Sequence, residues 1–140
     1  MFMPDVNVLV YAHREDSDHH QHDAAWLIHL VTGDQPFALS ELVLSGFVRV
    51  VTNRRIFRDP SPIGAALEFV EQLIARPTCR LVRPGPRHLR IFLALCRDLE
   101  LTGGLVADAY HAALALEHGC TWITNDTDFA RFGDLRWETP

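Results

Sequence analysis

Asp5 stands in the run MPDVNVLVYA, residues 3–12, whose other side chains read as buried. A carboxylate placed there without a partner is costly. Other acids share this peculiarity of position. Glu41, Asp126 and Asp128 follow segments that read as strands. Asp108 is the polar exception on a small, apolar helix face with Gly104, Ala112, Ala115 and Leu116. Taken alone, each has a local explanation: Asp5 and Asp126 could cap the helices they precede, and Asp108 could bond a nearby amide. Taken together they point elsewhere. Carboxylates that converge without cations raise one another's pKa values. The chain contains no lysine, and no arginine is adjacent in sequence to any of these acids. A bound divalent metal is the compensating charge the pattern calls for. Oxygen ligands without Cys or His suit Mg²⁺ or Mn²⁺ rather than Zn²⁺.

Hydrophobic period and turn signals give the elements that must position these acids. Residues 1–4 read as a strand running into Asp5, and 6–13 as a short helix or a continued strand. Asp18 is the expected N-cap of a helix to about Val31, with Trp26, Leu27, Leu30 and Val31 on one face. Phe37–Leu39 is a short strand, and Ser40 caps a helix through Val51. Ile63–Arg76 is an amphipathic helix ended by Pro77. Cys79–Val82 is a strand, and Arg87–Leu99 a helix after the turn Pro84-Gly85-Pro86. Leu105–His118 is a helix closed by Gly119. Cys120–Thr124 is a strand, Asp126–Arg131 a short helix, and Leu135–Trp137 could form a last strand. Strands alternating with helices predict an α/β layer fold around a mostly parallel sheet. In such sheets ligands sit outside the carboxyl ends of the strands, where most of these acids fall.

The 140 residues fit one domain, residues 1–140, long enough to bury roughly 70% of its unfolded surface. Apolar residues make up 48% and charged residues 22%, a globular balance. The net charge of −5 excludes a generally basic nucleic-acid binder, and the absence of lysine excludes any mechanism that needs one. No apolar run approaches the ~20 residues of a membrane span, so no membrane partner is expected, and the N-terminus lacks the basic start of a signal peptide. Cys79, Cys96 and Cys120 are odd in number and widely spaced, the usage of reduced cysteines in the cytosol.

Three stretches carry a family likeness: DVNVLVYA near the start, LVADAYHAALALEHG at 105–119 and TWITNDTDFARF at 121–132. With these in order and at this spacing, the chain resembles the PIN-domain ribonucleases, and among them the bacterial VapC-type toxins of toxin–antitoxin pairs. The resemblance implies a PIN-like three-layer α/β sandwich with a short parallel sheet flanked by helices. It implies Mg²⁺-dependent endonucleolytic cleavage of RNA, with Mn²⁺ as a substitute ion, and a cognate antitoxin that blocks it. The family's acids fall on Asp5, Asp108 and Asp126, which would hold the metal; Asp128 could share or exchange the last role. The family glutamate commonly falls where this chain has Ser45 and Gly46. Glu41, one helical turn earlier on roughly the same face, could reach the pocket instead. Asn7 and Thr124 match polar positions that orient ligands or water. Family habit and the apolar-rich first half imply a homodimer, in the bacterial cytoplasm.

RNA must still approach an acidic protein. Arg49, Arg54, Arg55 and Arg58 cluster near one helix end and could form a phosphate-binding rim; a solvated surface is the plain alternative. The histidines of HREDSDHHQHD, residues 13–23, lack paired zinc-ligand spacing and read as a polar loop and helix start. His111 and His118 read as satisfied or surface groups, Tyr110 and Trp122 as core or interface. Competing readings are a PIN nuclease of RNA processing without an antitoxin, a catalytically inactive PIN binding module, and a receiver-type phosphoacceptor. The last normally needs a lysine.

Overall fold

The computed structural model describes residues 1–140 and contains six α-helices and five short strands. Strand β1 (Phe2–Pro4) runs into Asp5, whose carboxylate accepts from the Val6 amide and opens helix α1 (Val6–His13). The segment after Asp5 is therefore helix, with Val8, Leu9, Val10 and Ala12 buried.

Helix α2 (His20–Thr32) begins later than the expected cap at Asp18, which stays exposed. The turn before it is fixed by side chains instead. The His19 ring stacks on Tyr11 with centroids 4.9 Å apart, and His20 Nδ1 lies 3.0 Å from the Tyr11 carbonyl. Strand β2 (Phe37–Ser40) is wholly buried, and Ser40 Oγ accepts from the Val43 amide at 3.1 Å, capping α3 (Glu41–Val51) as expected. Helix α4 (Ile63–Ile74) stops short of Arg76, because the residue before a proline disfavours helical dihedrals.

Strand β3 (Cys79–Val82) pairs in parallel with β2, from Phe37 opposite Cys79 to Ser40 opposite Val82. Helix α5 (His88–Asp98) follows; the Glu117 carboxylate accepts from the Gly85 and Arg87 amides just before it. Helix α6 (Gly104–His118) ends at Gly119, whose φ of 63° is the left-handed conformation glycine tolerates best. Strand β4 (Thr121–Ile123) pairs in parallel with β1 and with β5 (Trp137–Glu138), and a 3₁₀ helix, Thr127–Arg131, lies between β4 and β5. The last strand lies C-terminal to its expected place: Leu135 is buried in the turn before it, its amide bonded to the Phe132 carbonyl.

The ladders form two parallel pieces, β1-β4-β5 and β2-β3, and β1 lies against β2. Strand order across the molecule is thus β3-β2-β1-β4-β5. The chain leaves β1 in one direction and returns to β4 on its other side. Right-handed crossovers running in opposite directions place their helices on opposite faces, which yields α1–α4 on one side and α5–α6 on the other. The same topology makes the gap between β1 and β4 the switch point of the sheet, where α/β proteins bind ligands.

Small residues bring the elements close around this gap. Helix α6 buries the small side chains Ala109, Ala112, Ala113 and Ala115, which lets its backbone lie close to the strands. Helices α1 and α3 touch through Gly46, where an added Cβ would stand 2.9 Å from a methyl of Val6. No helix is long and apolar enough to cross a membrane. All three cysteines are free.

Candidate active site

Two chain segments that the β1–β4 ladder brings together build the floor of the site. Asp5 is buried, and its oxygens are almost fully engaged. Oδ1 accepts from the Val6 amide at 2.6 Å; Oδ2 accepts from Asn7 Nδ2 at 2.9 Å and from Thr124 Oγ1 at 2.6 Å. A carboxylate offers about four lone-pair positions, so one remains, on Oδ1. Thr124 is fully buried and fully used: its hydroxyl donates to Asp5 and accepts from Asn7 Nδ2 at 2.9 Å and from the Asp126 amide at 3.0 Å. Asn7 completes the lattice by accepting from the Asn125 amide through Oδ1 at 3.1 Å.

Asn7 and Thr124 were expected to orient ligand or water. The structure corrects this for Thr124, which solvent does not reach, and spends the hydrogen bonds of both residues on placing Asp5 and Asp126. Changing Thr124 to Val, which keeps its shape, is therefore expected to lower activity by roughly 10–100-fold, the usual effect of losing a group that orients a ligating carboxylate. Thr124→Ser, which restores the hydroxyl, is expected to recover most of it; rates measured for both variants check this.

Asp5, Asp108 and Asp126 line one cavity of about 550 Å³ at the switch point, the convergence expected from sequence. Asp108 projects from α6 and makes no hydrogen bond, so both of its oxygens are open. Asp126 caps the 3₁₀ helix by accepting from the Asp128 amide at 2.8 Å and keeps its second oxygen free. The fields of these groups are legible in their acidity. Burial pushes the Asp5 carboxyl up to about 6 despite its hydrogen bonds, with Asp108 and Asp126 adding to the rise. Burial also raises Asp108, followed by the charges of Asp126 and Asp128; Arg131 opposes them.

The donor set is all oxygen, carries excess negative charge and retains free lone pairs, so it fits a hard divalent cation. It is not a closed cage: no three His, Cys, Asp or Glu side chains converge tightly enough to hold an ion by themselves.

The remaining expectations divide. Glu41 does not line the cavity. It pairs with Arg83, accepting from Nε at 2.9 Å and from Nη2, in a separate groove with Ser40, Ser45 and Tyr110. Asp128 also lies outside the cavity, exposed and 3.1 Å from Arg131. Arg49 lines the cavity, whereas Arg54 and Arg55 stand exposed on the following loop. None of Arg49, Arg54, Arg55 or Arg58 is ion-paired. The clustered histidines serve packing: His13 sits against Phe47 and Phe69, and His22 faces Asp23.

Two participants escaped the sequence reading. Asp23, fully buried, accepts from Asn125 Nδ2 at 2.7 Å and so ties α2 to the loop that carries Asp126. His111, one turn after Asp108 on α6, lines the cavity. Its spacing from Asp108 was the available signal.

Fold and site together define an α/β domain with a carboxylate-lined, oxygen-donor cavity at its strand ends. The PIN domain family model matches residues 2–135. Ribonuclease VapC43 of Mycobacterium tuberculosis is 46% identical over 140 residues, covering all of this chain and 95% of the relative. Among solved structures, VapBC2 from Rickettsia felis bound to a DNA fragment from its promoter aligns with a TM-score of 0.72 at 20% identity, over 99% of this chain and 97% of that one. M. tuberculosis VapC20, described as a sarcin–ricin loop cleaving toxin, aligns at 0.67 with 16% identity, over 95% of each chain. This chain belongs to the PIN-domain family, in its VapC branch.

Proposed function

We propose that this protein is an RNA endonuclease, the toxin of a toxin–antitoxin pair, hydrolysing phosphodiesters with a bound divalent metal, Mg²⁺ foremost and Mn²⁺ as substitute. The observation that carries the reading is the shared cavity of Asp5, Asp108 and Asp126 at the sheet's switch point, in a chain whose full-length relative is named a ribonuclease.

When bound, the ion supplies Lewis acidity toward a phosphate oxygen and makes water more acidic. The chain's own residues do the rest. Thr124 and Asn7 hold Asp5 in one rotamer, with its free Oδ1 position left for the ion. The amide of Asp128 holds Asp126, whose open oxygen is available to orient the attacking water or accept its proton. Asp108 contributes two unencumbered oxygens from the facing helix. Arg49, the one arginine lining the cavity, is available to neutralise a phosphate of the bound strand.

The test is mapping of RNA cleavage by wild type and Asp5→Ala, with Mg²⁺ and then with EDTA. Cuts lost on chelation and in the variant support the reading; cuts unchanged in either arm refute it. The exposed arginine loop has its own expected result. Arg54→Ala combined with Arg55→Ala should weaken RNA binding and flatten its dependence on salt by up to about two phosphate contacts, measured as the slope of log affinity against log salt.

An antitoxin and a second copy of the chain are the expected protein partners. Exposed apolar residues, Ile63 and Leu67 on α4 and Leu89 and Leu93 on α5, recur at helical spacing and leave faces for them. The reduced cysteines and the absence of an apolar spanning helix support the cytoplasm as its location.

A further inference from the structure

The carboxylates are only part of the cavity's lining. Val10 of α1, Val50 of α3 and Ile56 and Phe57 of the loop after it give the same cavity apolar lining. Ile56 is half exposed, so part of this apolar lining is open to solvent. At about 550 Å³ the cavity falls within the roughly 300–1,000 Å³ typical of small-ligand sites.

His111 lines the same cavity. Its ring stacks on the buried Trp122, with centroids 5.3 Å apart and planes within 25°, which fixes its orientation. Nδ1 is buried and has no hydrogen-bond partner; Nε2, equally without a partner, is not buried, and the residue lines the cavity. Burial pulls the imidazole pKa down to about 4, so the ring is neutral. A neutral imidazole carries one proton, and a buried N–H without an acceptor is rarer than a buried bare acceptor. The proton therefore belongs on Nε2. The cavity thus combines apolar lining with a rigidly held, uncharged donor on His111, alongside Tyr11 and Arg49.

Sequence-selective RNA recognition works on unpaired bases, which are packed against apolar or aromatic side chains and hydrogen-bonded at their edges. We propose that the apolar lining of this cavity forms a nucleobase subsite, and that His111 reads an acceptor on the edge of one unpaired base of the RNA through its Nε2–H. The inference rests on the nuclease reading for the identity of the ligand. It goes beyond that reading in assigning a base, not only the backbone, to the pocket.

The test uses the four nucleoside 5′-monophosphates and ribose 5-phosphate as probes, with Mg²⁺ present, since none offers a diester to cleave. Dissociation constants come from amide shifts of Asn7 and Asn125 in NMR titrations. At least one nucleotide should bind about fivefold or more tightly than ribose 5-phosphate, in line with one packed base and one hydrogen bond. The preference among bases should collapse in His111→Phe, which keeps a ring against Trp122 but removes the donor. It should return in His111→Gln, whose carboxamide can place an N–H near the position of Nε2. Equal binding of all five probes by wild type would overturn the subsite, and an unchanged base preference in His111→Phe would overturn the role of His111. Metal-dependent cleavage with no base preference would sink the subsite alone. Base preference without any cleavage would leave the subsite standing and sink the nuclease reading instead.

Discussion

Asp108→Asn should make the metal-free protein more stable at neutral pH while removing RNA cleavage. Asp108 has no hydrogen bond to lose, and its carboxylate is held against burial and the charges of Asp126 and Asp128. The amide is nearly isosteric and uncharged, so the variant relieves repulsion without opening a void. A rise of a few degrees in Tm is expected in EDTA. Cleavage should fall by at least about 100-fold, because the change removes a direct contributor of charge where even orienting groups cost 10–100-fold. Thermal unfolding in EDTA and single-turnover cleavage in Mg²⁺ measure the two halves. A variant that is destabilised and still active would mean that Asp108 is a structural acid.

The second large effect is a dependence of stability on pH that the metal reverses. Asp5 titrates near 6 in the folded chain, against 3.8 for the unreacted side chain. The folded state therefore binds more protons than the unfolded state between these values. The contribution of Asp5 is fully present below about pH 4 and is lost as pH rises through about 6, roughly 3 kcal/mol in all. A bound cation favours the ionised form and removes that loss. The increase in Tm on adding Mg²⁺ should thus be small near pH 5 and grow to its full size above about pH 7. Asp5→Ala should abolish this growth. A Mg²⁺ increment independent of pH would show that the ion is held elsewhere.

Much of this was legible in the sequence, and the limits have physical causes. Periodicity and capping residues located nearly every element, because Ser40, Gly119 and the alternation of apolar runs act locally. The meeting of Asp5, Asp108 and Asp126 followed from their place at strand ends and on the packed face of α6. Glu41 shows where such reasoning fails. A helical face can be drawn from sequence, but the Arg83 that holds Glu41 comes from the segment after another strand, 42 residues away. Thr124 fails for a related reason: its pattern marks a polar residue near the chemistry, yet only the assembled β1–β4 ladder buries it and turns its hydroxyl onto the Asp5 carboxylate and the Asp126 amide. Asp18 read as a cap by residue type, and lost to the stacking of His19 on Tyr11. His111 was visible one turn from Asp108, but its orientation depends on Trp122, on a different strand.

The lattice that joins Asp5 and Asn7 to Thr124 and Asn125 has a consequence for how the protein is made. Its halves lie at opposite ends of the polypeptide, 119 positions apart for the bond between Thr124 and Asp5. During synthesis the first half therefore emerges well before the second. Until then Asp5 lacks the neighbours that aim it, and Asp126 does not yet exist. A fragment that stops before Thr124 lacks both the hydroxyl that aims Asp5 and the carboxylate of Asp126, so it is expected to carry no destructive capacity.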